Sequence, residues 1–340
     1  MMKHGGNITQ AAAQYGFQDA EMIDLSTGIN PQAYGLDLAG VSARRWRDLP
    51  QAEDEAQLKS IMRKRWSVPD SAAIALAPGS GLLINLIPRL RPAATVMMPD
   101  PVYSEHDAAW RLEGHDVQYY PAAELPELAD DAARLAVSVQ PGNPLGNILP
   151  PEDWGHWLDH AASTHGLVVM DEAFIDLMPS HSLMPRAGQR GLIILRSLGK
   201  FYGLAGLRLG AAIGHADDID QLAAMMGPWA VSTPTLDFAN QALADDDWPD
   251  QQRQWLRAQM VRMRDLLAGA GLKIIGGTDL YCLIDAEENA EILHQKLAKF
   301  GIWTRVFDHH PSWMRIGLPG NDDEFHRVKD AVEASGKVSS

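Results

Sequence analysis

Five short stretches hold the residues from which chemistry could be built: Gly79-Ser80-Gly81, Asn143 within Pro141-Gly-Asn-Pro-Leu-Gly146, Asp171 closing Leu167-Val-Val-Met170, Ser197-Leu-Gly-Lys200, and Arg208. Each alone is ordinary, because glycine pairs make turns, strand-end aspartates cap helices and lysines sit in water. Together they are a set. A lysine amine with lowered proton affinity can attack an aldehyde and later carry protons to and from a substrate carbon. A carboxylate fixed beside an aromatic ring nitrogen raises that nitrogen's pKa and keeps it protonated as an electron sink. Amides at a helix start, a hydroxyl and a guanidinium hold a phosphate. Lys200 suits the first task, Asp171 the second, and Gly79-Ser80-Gly81, Ser197 and Arg208 the third. These are the needs of one cofactor, pyridoxal 5'-phosphate.

The elements that would position these residues can be read around them. Short apolar runs at Ala72–Ala75, Thr95–Met98, Val117–Tyr120, Leu135–Val139, Leu167–Met170, Leu192–Leu195 and Leu207–Ile213 alternate with amphipathic stretches such as Gly81–Arg89, Glu105–Glu113 and Glu152–Thr164. Alternation of this kind predicts an α/β fold with a mostly parallel seven-stranded sheet flanked by helices. Ligands of such sheets sit beyond the carboxyl ends of strands, where the candidate residues fall. After about residue 235 the pattern becomes long helices, Leu236–Ala244 and Asp250–Ala268, then short strands around one more helix at Ala290–Phe300. The expected organisation is an N-terminal arm over 1–45 packing with the small domain and the mouth of the site, a large cofactor-binding domain over 46–235, and a smaller α+β domain over 236–340.

Composition narrows the function classes. With 46% hydrophobic and 21% charged residues the 340-residue chain is an ordinary globular protein, and it contains no apolar run long enough to span a bilayer. Its opening residues lack a signal-peptide core, so a cytoplasmic location is expected. A formal charge of −15 disfavours nucleic acid and anionic membranes as partners. Cys282, the single cysteine, excludes an internal disulfide, and its apolar surroundings predict a buried strand residue. His156, His160, His309 and His310 come without a supporting carboxylate pattern, so no metal site is expected.

These segments, in this order, resemble the fold type I pyridoxal-phosphate enzymes, the superfamily of aspartate and histidinol-phosphate aminotransferases, over essentially the whole chain. The resemblance implies that Lys200 binds the cofactor as a Schiff base and that Asp171 pairs with the ring nitrogen. Asn143 would bond the phenolic oxygen, Tyr103 in Asp100-Pro-Val-Tyr-Ser would stack on the ring, and Ser197 and Arg208 would bind the phosphate. It also implies a homodimer.

A narrower resemblance is to the threonine-phosphate decarboxylases of cobalamin biosynthesis. It rests on His4-Gly-Gly-Asn7, Asp24-Leu-Ser-Thr-Gly-Ile-Asn-Pro31, Asp171-Glu-Ala-Phe-Ile-Asp176, the run from Arg196 to Gly210, and Gly227-Pro-Trp-Ala-Val-Ser232. The substrate implied is a phosphorylated amino acid, and the reaction is loss of its carboxylate. Arg315 in Trp313-Met-Arg-Ile-Gly317 matches the superfamily's carboxylate-binding arginine, and Arg305 on a neighbouring strand is the candidate for the second anion. His4, Asn7 and Asn30 would add donors. The alternative is a histidinol-phosphate-type aminotransferase. Two departures from that pattern are visible: Phe174 stands where a tyrosine is usual, and Leu49-Pro50-Gln51 replaces a tyrosine-containing segment that reaches the partner subunit's cofactor.

Overall fold

A computed structural model describes residues 5–125, 128, 134–287 and 290–335. The chain forms two compact units, one of residues 34–249 and one built from residues up to 33 together with those from 250 onward. The larger unit takes in residues 34–45 and 236–249 beside the segment between them. Side chains tie both segments into it: Arg45 bonds Asp54 and, at 2.7 Å, Asp237, while Arg65 donates to the Leu243 and Asp245 carbonyls.

The smaller unit opens with helix α1 (Ile8–Tyr15) and the short strand β1 (Ile23–Asp24). In the larger unit, helix α2 (Ala52–Trp66) starts with Glu53, Asp54 and Glu55 and ends with Arg63, Lys64 and Arg65, charges that complement the helix dipole at both ends. Leu58, Met62 and Trp66, four apart, form its buried stripe. There follow β2 (Ala73–Ala77), α3 (Ser80–Leu86), β3 (Thr95–Asp100), α4 (Ser104–Leu112), β4 (Asp116–Pro121), β5 (Leu135–Val139), α5 (Gly155–Ser163), β6 (Leu167–Asp171), β7 (Leu192–Ser197), β8 (Gly210–Gly214), α6 (Ala216–Met226) and α7 (Thr233–Ala244). The seven strands lie in the order β2-β8-β7-β6-β5-β3-β4, all parallel except β8, which is antiparallel to both neighbours. Every residue of β5, β6 and β8 is buried, as helices on both faces require.

Helix α8 (Trp248–Gly269) leads out of this unit. The smaller unit continues with β9 (Lys273–Thr278), β10 (Tyr281–Asp285), α9 (Ala290–Ala298), β11 (Ile302–Trp303), β12 (Arg305–Phe307), β13 (His310–Gly317) and α10 (Asp322–Ser335). Its antiparallel sheet has the order β12-β13-β10-β9, and β1 pairs with β11 in parallel. Cys282 is fully buried on β10, and burial pushes its thiol up to about 11.

Candidate active site

Sheet topology alone brings the predicted residues of the larger unit to one edge. Parallel strands β2, β3, β5, β6 and β7 end there with Ala77, Asp100, Val139, Asp171 and Ser197, and antiparallel β8 begins there with Gly210. Gly210 pairs with Ala77 on one side and Ser197 on the other. The Gly79-Ser80 turn, Ser197 and Arg208, which lie far apart in sequence, therefore share one end of three adjacent strands.

The turn after β2 is shaped for close approach. Gly79 has φ +89°, and a Cβ there would fall 2.9 Å from the Arg208 guanidinium carbon. A side chain at Gly79 would thus occupy the space that Arg208 fills. Gly210 is similarly constrained, since its Cβ would meet the backbone of Gly79 and Ser80 at 2.8 Å. Arg208 itself adopts a left-handed backbone (φ 52°, ψ 56°), strain of the kind that persists where a site requires it. Its exposed guanidinium, the amides at the start of α3 and the Ser197 hydroxyl, which accepts from Gly199 N at 3.2 Å, make a cationic, donor-rich corner suited to a phosphate.

Asp171 is 3% exposed. Its Oδ1 accepts from Ala173 N at 3.0 Å, and its Oδ2 lies 3.0 Å from His106 Nε2. His106, itself buried, projects from the first turn of α4 and stands edge-on to Tyr103, with ring centroids 6.2 Å apart. One short helix thus links the expected stacking ring to the carboxylate expected at the ring nitrogen. Sequence reading did not single out His106, although its position three residues after Tyr103 places it on the same helix face.

Behind this lies a buried ionic cluster that also went unread. Glu172 accepts from Ser182 Oγ at 2.6 Å and Leu183 N at 2.7 Å, and Arg196 joins it at 3.3 Å and Asp176 at 2.5 Å. Burial pushes the Glu172 carboxyl up, with Arg196 pulling it back. Arg196 also lies over the Trp66 ring at 4.5 Å. The cluster clamps the residue after Asp171 to the residue before Ser197, setting the spacing of the two strand ends. Arg196→Ala would leave two buried acids without their counter-charge and is expected to cost about 3–5 kcal/mol. A urea unfolding midpoint checks this, and a loss under about 1 kcal/mol would show that the clamp is unimportant.

Lys200 is half-buried, its Nζ 5.6 Å from the centre of the Phe174 ring, which offers no hydroxyl. Its successors Phe201 and Tyr202 are fully buried, and Tyr202 stacks on Trp248 at 5.3 Å and 18°. The lysine loop is therefore anchored by aromatic packing. Asn143, also half-buried, sits in the loop after β5, which is laced by Gly142 N to Asn147 O at 2.8 Å and Gly146 N to Gly142 O at 2.7 Å. Gly81 lies in the first turn of α3, half-buried.

The predicted substrate residues belong to the smaller unit. Arg315 on β13 and Arg305 on β12 are directly opposite in register, so both project from one face of the sheet. Arg315 is buried over the Tyr281 ring at 5.0 Å and donates to the Ser26 carbonyl at 2.6 Å; Arg305 lies half-buried over Phe307 at 5.5 Å. Asn30 is buried, and its Oδ1 accepts from Gln32 N at 2.9 Å and Gln252 Nε2 at 3.1 Å. This gives Asn30 a turn-forming place inside the unit, whatever its remaining donors do. Asn7 is exposed and bonds Gln10. His4 lies outside the described residues.

The profile of the "Aminotransferase class I and II" family matches residues 46–332. The chain is 35% identical to the threonine-phosphate decarboxylase of Pseudomonas aeruginosa over 98% of this chain and 97% of that one. It is 30% identical to histidinol-phosphate aminotransferase 1 of Ralstonia nicotianae over 96% of this chain and 92% of that one. Among solved structures, the histidinol-phosphate aminotransferase of Sinorhizobium meliloti in complex with pyridoxal-5'-phosphate aligns with a TM-score of 0.83 at 19% identity, covering 98% of this chain and 95% of that one. With its strand order, its converging strand ends and these matches, the chain belongs to the aminotransferase class I and II family.

Proposed function

We propose that the protein is a pyridoxal-phosphate-dependent decarboxylase that converts L-threonine O-3-phosphate to (R)-1-amino-2-propanol O-2-phosphate and carbon dioxide, a step of cobalamin biosynthesis. The observation that carries this reading is the 35% identity, over nearly the full length of both chains, to a threonine-phosphate decarboxylase. Two features support it. Opposed cations at Arg305 and Arg315, on one face of the sheet, suit a substrate with two anionic groups. Phe174 beside Lys200 leaves out the phenol usual in histidinol-phosphate aminotransferases.

The residues fit the cofactor: Lys200 supplies the amine, Asp171 the ring-nitrogen partner, Asn143 and Tyr103 the ring contacts, and Gly79, Ser80, Gly81, Ser197 and Arg208 the phosphate corner. When bound, pyridoxal phosphate supplies an electron-accepting ring conjugated to the substrate amine. Asp171, oriented by His106, holds the ring-nitrogen proton in place. Arg315 grips the carboxylate and sets the angle of the bond to be broken, while Arg305 grips the phosphate. Geometry of this kind decides which bond at Cα breaks. Lys200 then delivers the proton that replaces carbon dioxide at Cα.

The reading includes a cytoplasmic homodimer. Trp46 and Leu49, close in sequence and 66% and 57% exposed, are apolar surface for such pairing, and sedimentation of an active monomer would contradict it. Among the described residues no helix is long and apolar enough to cross a membrane.

Losing an arginine–anion contact in a desolvated pocket costs about 2–4 kcal/mol. Arg315→Ala or Arg305→Ala is therefore expected to lower kcat/KM for threonine phosphate by roughly 30- to 1000-fold. Arg315→Lys should not restore it, because a point charge cannot reproduce a planar fork. Initial rates with threonine phosphate, set beside those with histidinol phosphate and 2-oxoglutarate, test the assignment. Faster turnover of histidinol phosphate would replace it with the aminotransferase reading.

A further inference from the structure

The Ser26 carbonyl that receives Arg315 has a second neighbour. Gly5 lies so close that a Cβ there would fall 2.5 Å from Ser26 O and 3.0 Å from Ser26 C. Gly6, with φ +87°, donates its N–H to Ser26 Oγ at 2.7 Å and accepts from Trp303 Nε1 at 3.1 Å. Ser26 itself is fully buried and held from every side. Its N–H and hydroxyl both donate to Asp24 Oδ1, at 2.9 and 2.5 Å. The preceding residue is stitched between strands, Leu25 N donating to Trp303 O at 2.8 Å and Leu25 O accepting from Gly317 N at 2.7 Å.

The same carbonyl is therefore pressed by the Gly5-Gly6 turn and bonded by the arginine proposed to grip the substrate carboxylate. A guanidinium is rigid and planar, so the bond from one of its nitrogens to Ser26 O, together with the Tyr281 ring under its central carbon, restricts the plane of the whole fork. We propose that the Gly5-Gly6 turn and Ser26 are positioning residues for Arg315: the turn, docked on Ser26 and Trp303, sets where the carbonyl lies and hence the plane in which Arg315 presents itself to a carboxylate. Glycine is required at Gly5 because only a residue without Cβ can lie against that carbonyl, and it is favoured at Gly6, where φ is positive. This inference rests on the proposed role of Arg315 and deepens it, since a carboxylate gripped in the wrong plane is held at the wrong angle. Gly5 and Gly6 need touch no substrate for this.

The test uses the full-length protein loaded with cofactor and labelled with 5-fluorotryptophan, the Trp303 resonance being identified by its loss in Trp303→Phe. Gly5→Ala places a methyl against Ser26 O, and Ser26→Ala removes the acceptor of Gly6 N–H while sparing the backbone carbonyl. Both variants are expected to shift the Trp303 fluorine resonance. Both should also weaken binding of threonine phosphate by about tenfold or more, while binding of the decarboxylated product, which lacks the carboxylate, weakens at least about fivefold less. Ser26→Thr, which keeps the hydroxyl, should bind nearer to the wild type. A resonance that shifts with equal weakening of substrate and product would overturn the inference, as would unchanged binding in both variants. A wild type that does not bind threonine phosphate at all would overturn the proposed function with it, so failure of that reading is visible before any variant is made.

Discussion

Lys200→Ala is expected to abolish turnover, lowering kcat by at least about four orders of magnitude. In the proposed mechanism the amine does two things: hold the cofactor covalently and deliver the proton to Cα. General acid–base catalysis alone accounts for about 10²- to 10⁴-fold, and the nucleophilic role adds to it. The protein should also lose the visible absorption that a lysine-bound cofactor gives, while its circular dichroism stays unchanged. Phe201, Tyr202 and Trp248, packed against one another, anchor the loop. Normal activity in Lys200→Ala would remove the basis for the whole assignment.

The second large effect is expected from Asp171→Asn. Losing an adjacent opposite charge moves a pKa by about 1–3 units, and each unit is worth 1.36 kcal/mol, or tenfold. The rate should therefore fall about 10- to 1000-fold as the ring nitrogen loses its proton at neutral pH. Asparagine can keep the bonds to Ala173 N and His106, so the fold should hold. The sign can be checked by pH: the variant should regain part of its rate as pH falls, because a lower pH protonates the nitrogen without help from a carboxylate. A rate equal to wild type across the pH range would show that Asp171 is not the nitrogen's partner.

Much of this was legible in the chain because it depends on local patterns. An uninterrupted apolar run such as Leu167-Val-Val-Met170 can only be comfortable in a sheet covered on both faces, and Asp171 at its end has to lie at the sheet's edge. The seven apolar runs appear as seven strands, and Ala77, Asp171, Ser197 and the start of the reversed β8 lie at one end of the sheet. What was not legible depends on register and on partners distant in sequence. Nothing near Arg305 announces that it faces Arg315 directly, since a shift of one residue along β12 would send it to the other face. His106 reads as any histidine on an amphipathic helix until β6 delivers Asp171 to it. Glu172, Asp176 and Arg196 look like surface charges in sequence, because only the fold buries them together. Helix α2 is highly charged, with buried residues confined to a narrow stripe, so its place in the core is visible only once α7 packs on it. Arg45 and Arg65 likewise reach across about 180–190 residues to hold the segment after 235 within the larger unit, contacts that no local pattern announces.

Whether the bond broken is the one to the carboxylate can be read from L-threonine O-3-phosphate carrying ¹³C in that carboxylate, incubated with the cofactor-loaded protein in the absence of any 2-oxo acid. All label lost from the substrate is expected to appear as carbon dioxide and bicarbonate, matched one for one by (R)-1-amino-2-propanol O-2-phosphate. Label retained in a 2-oxo acid product, with turnover that depends on added 2-oxoglutarate, would contradict the decarboxylase reading.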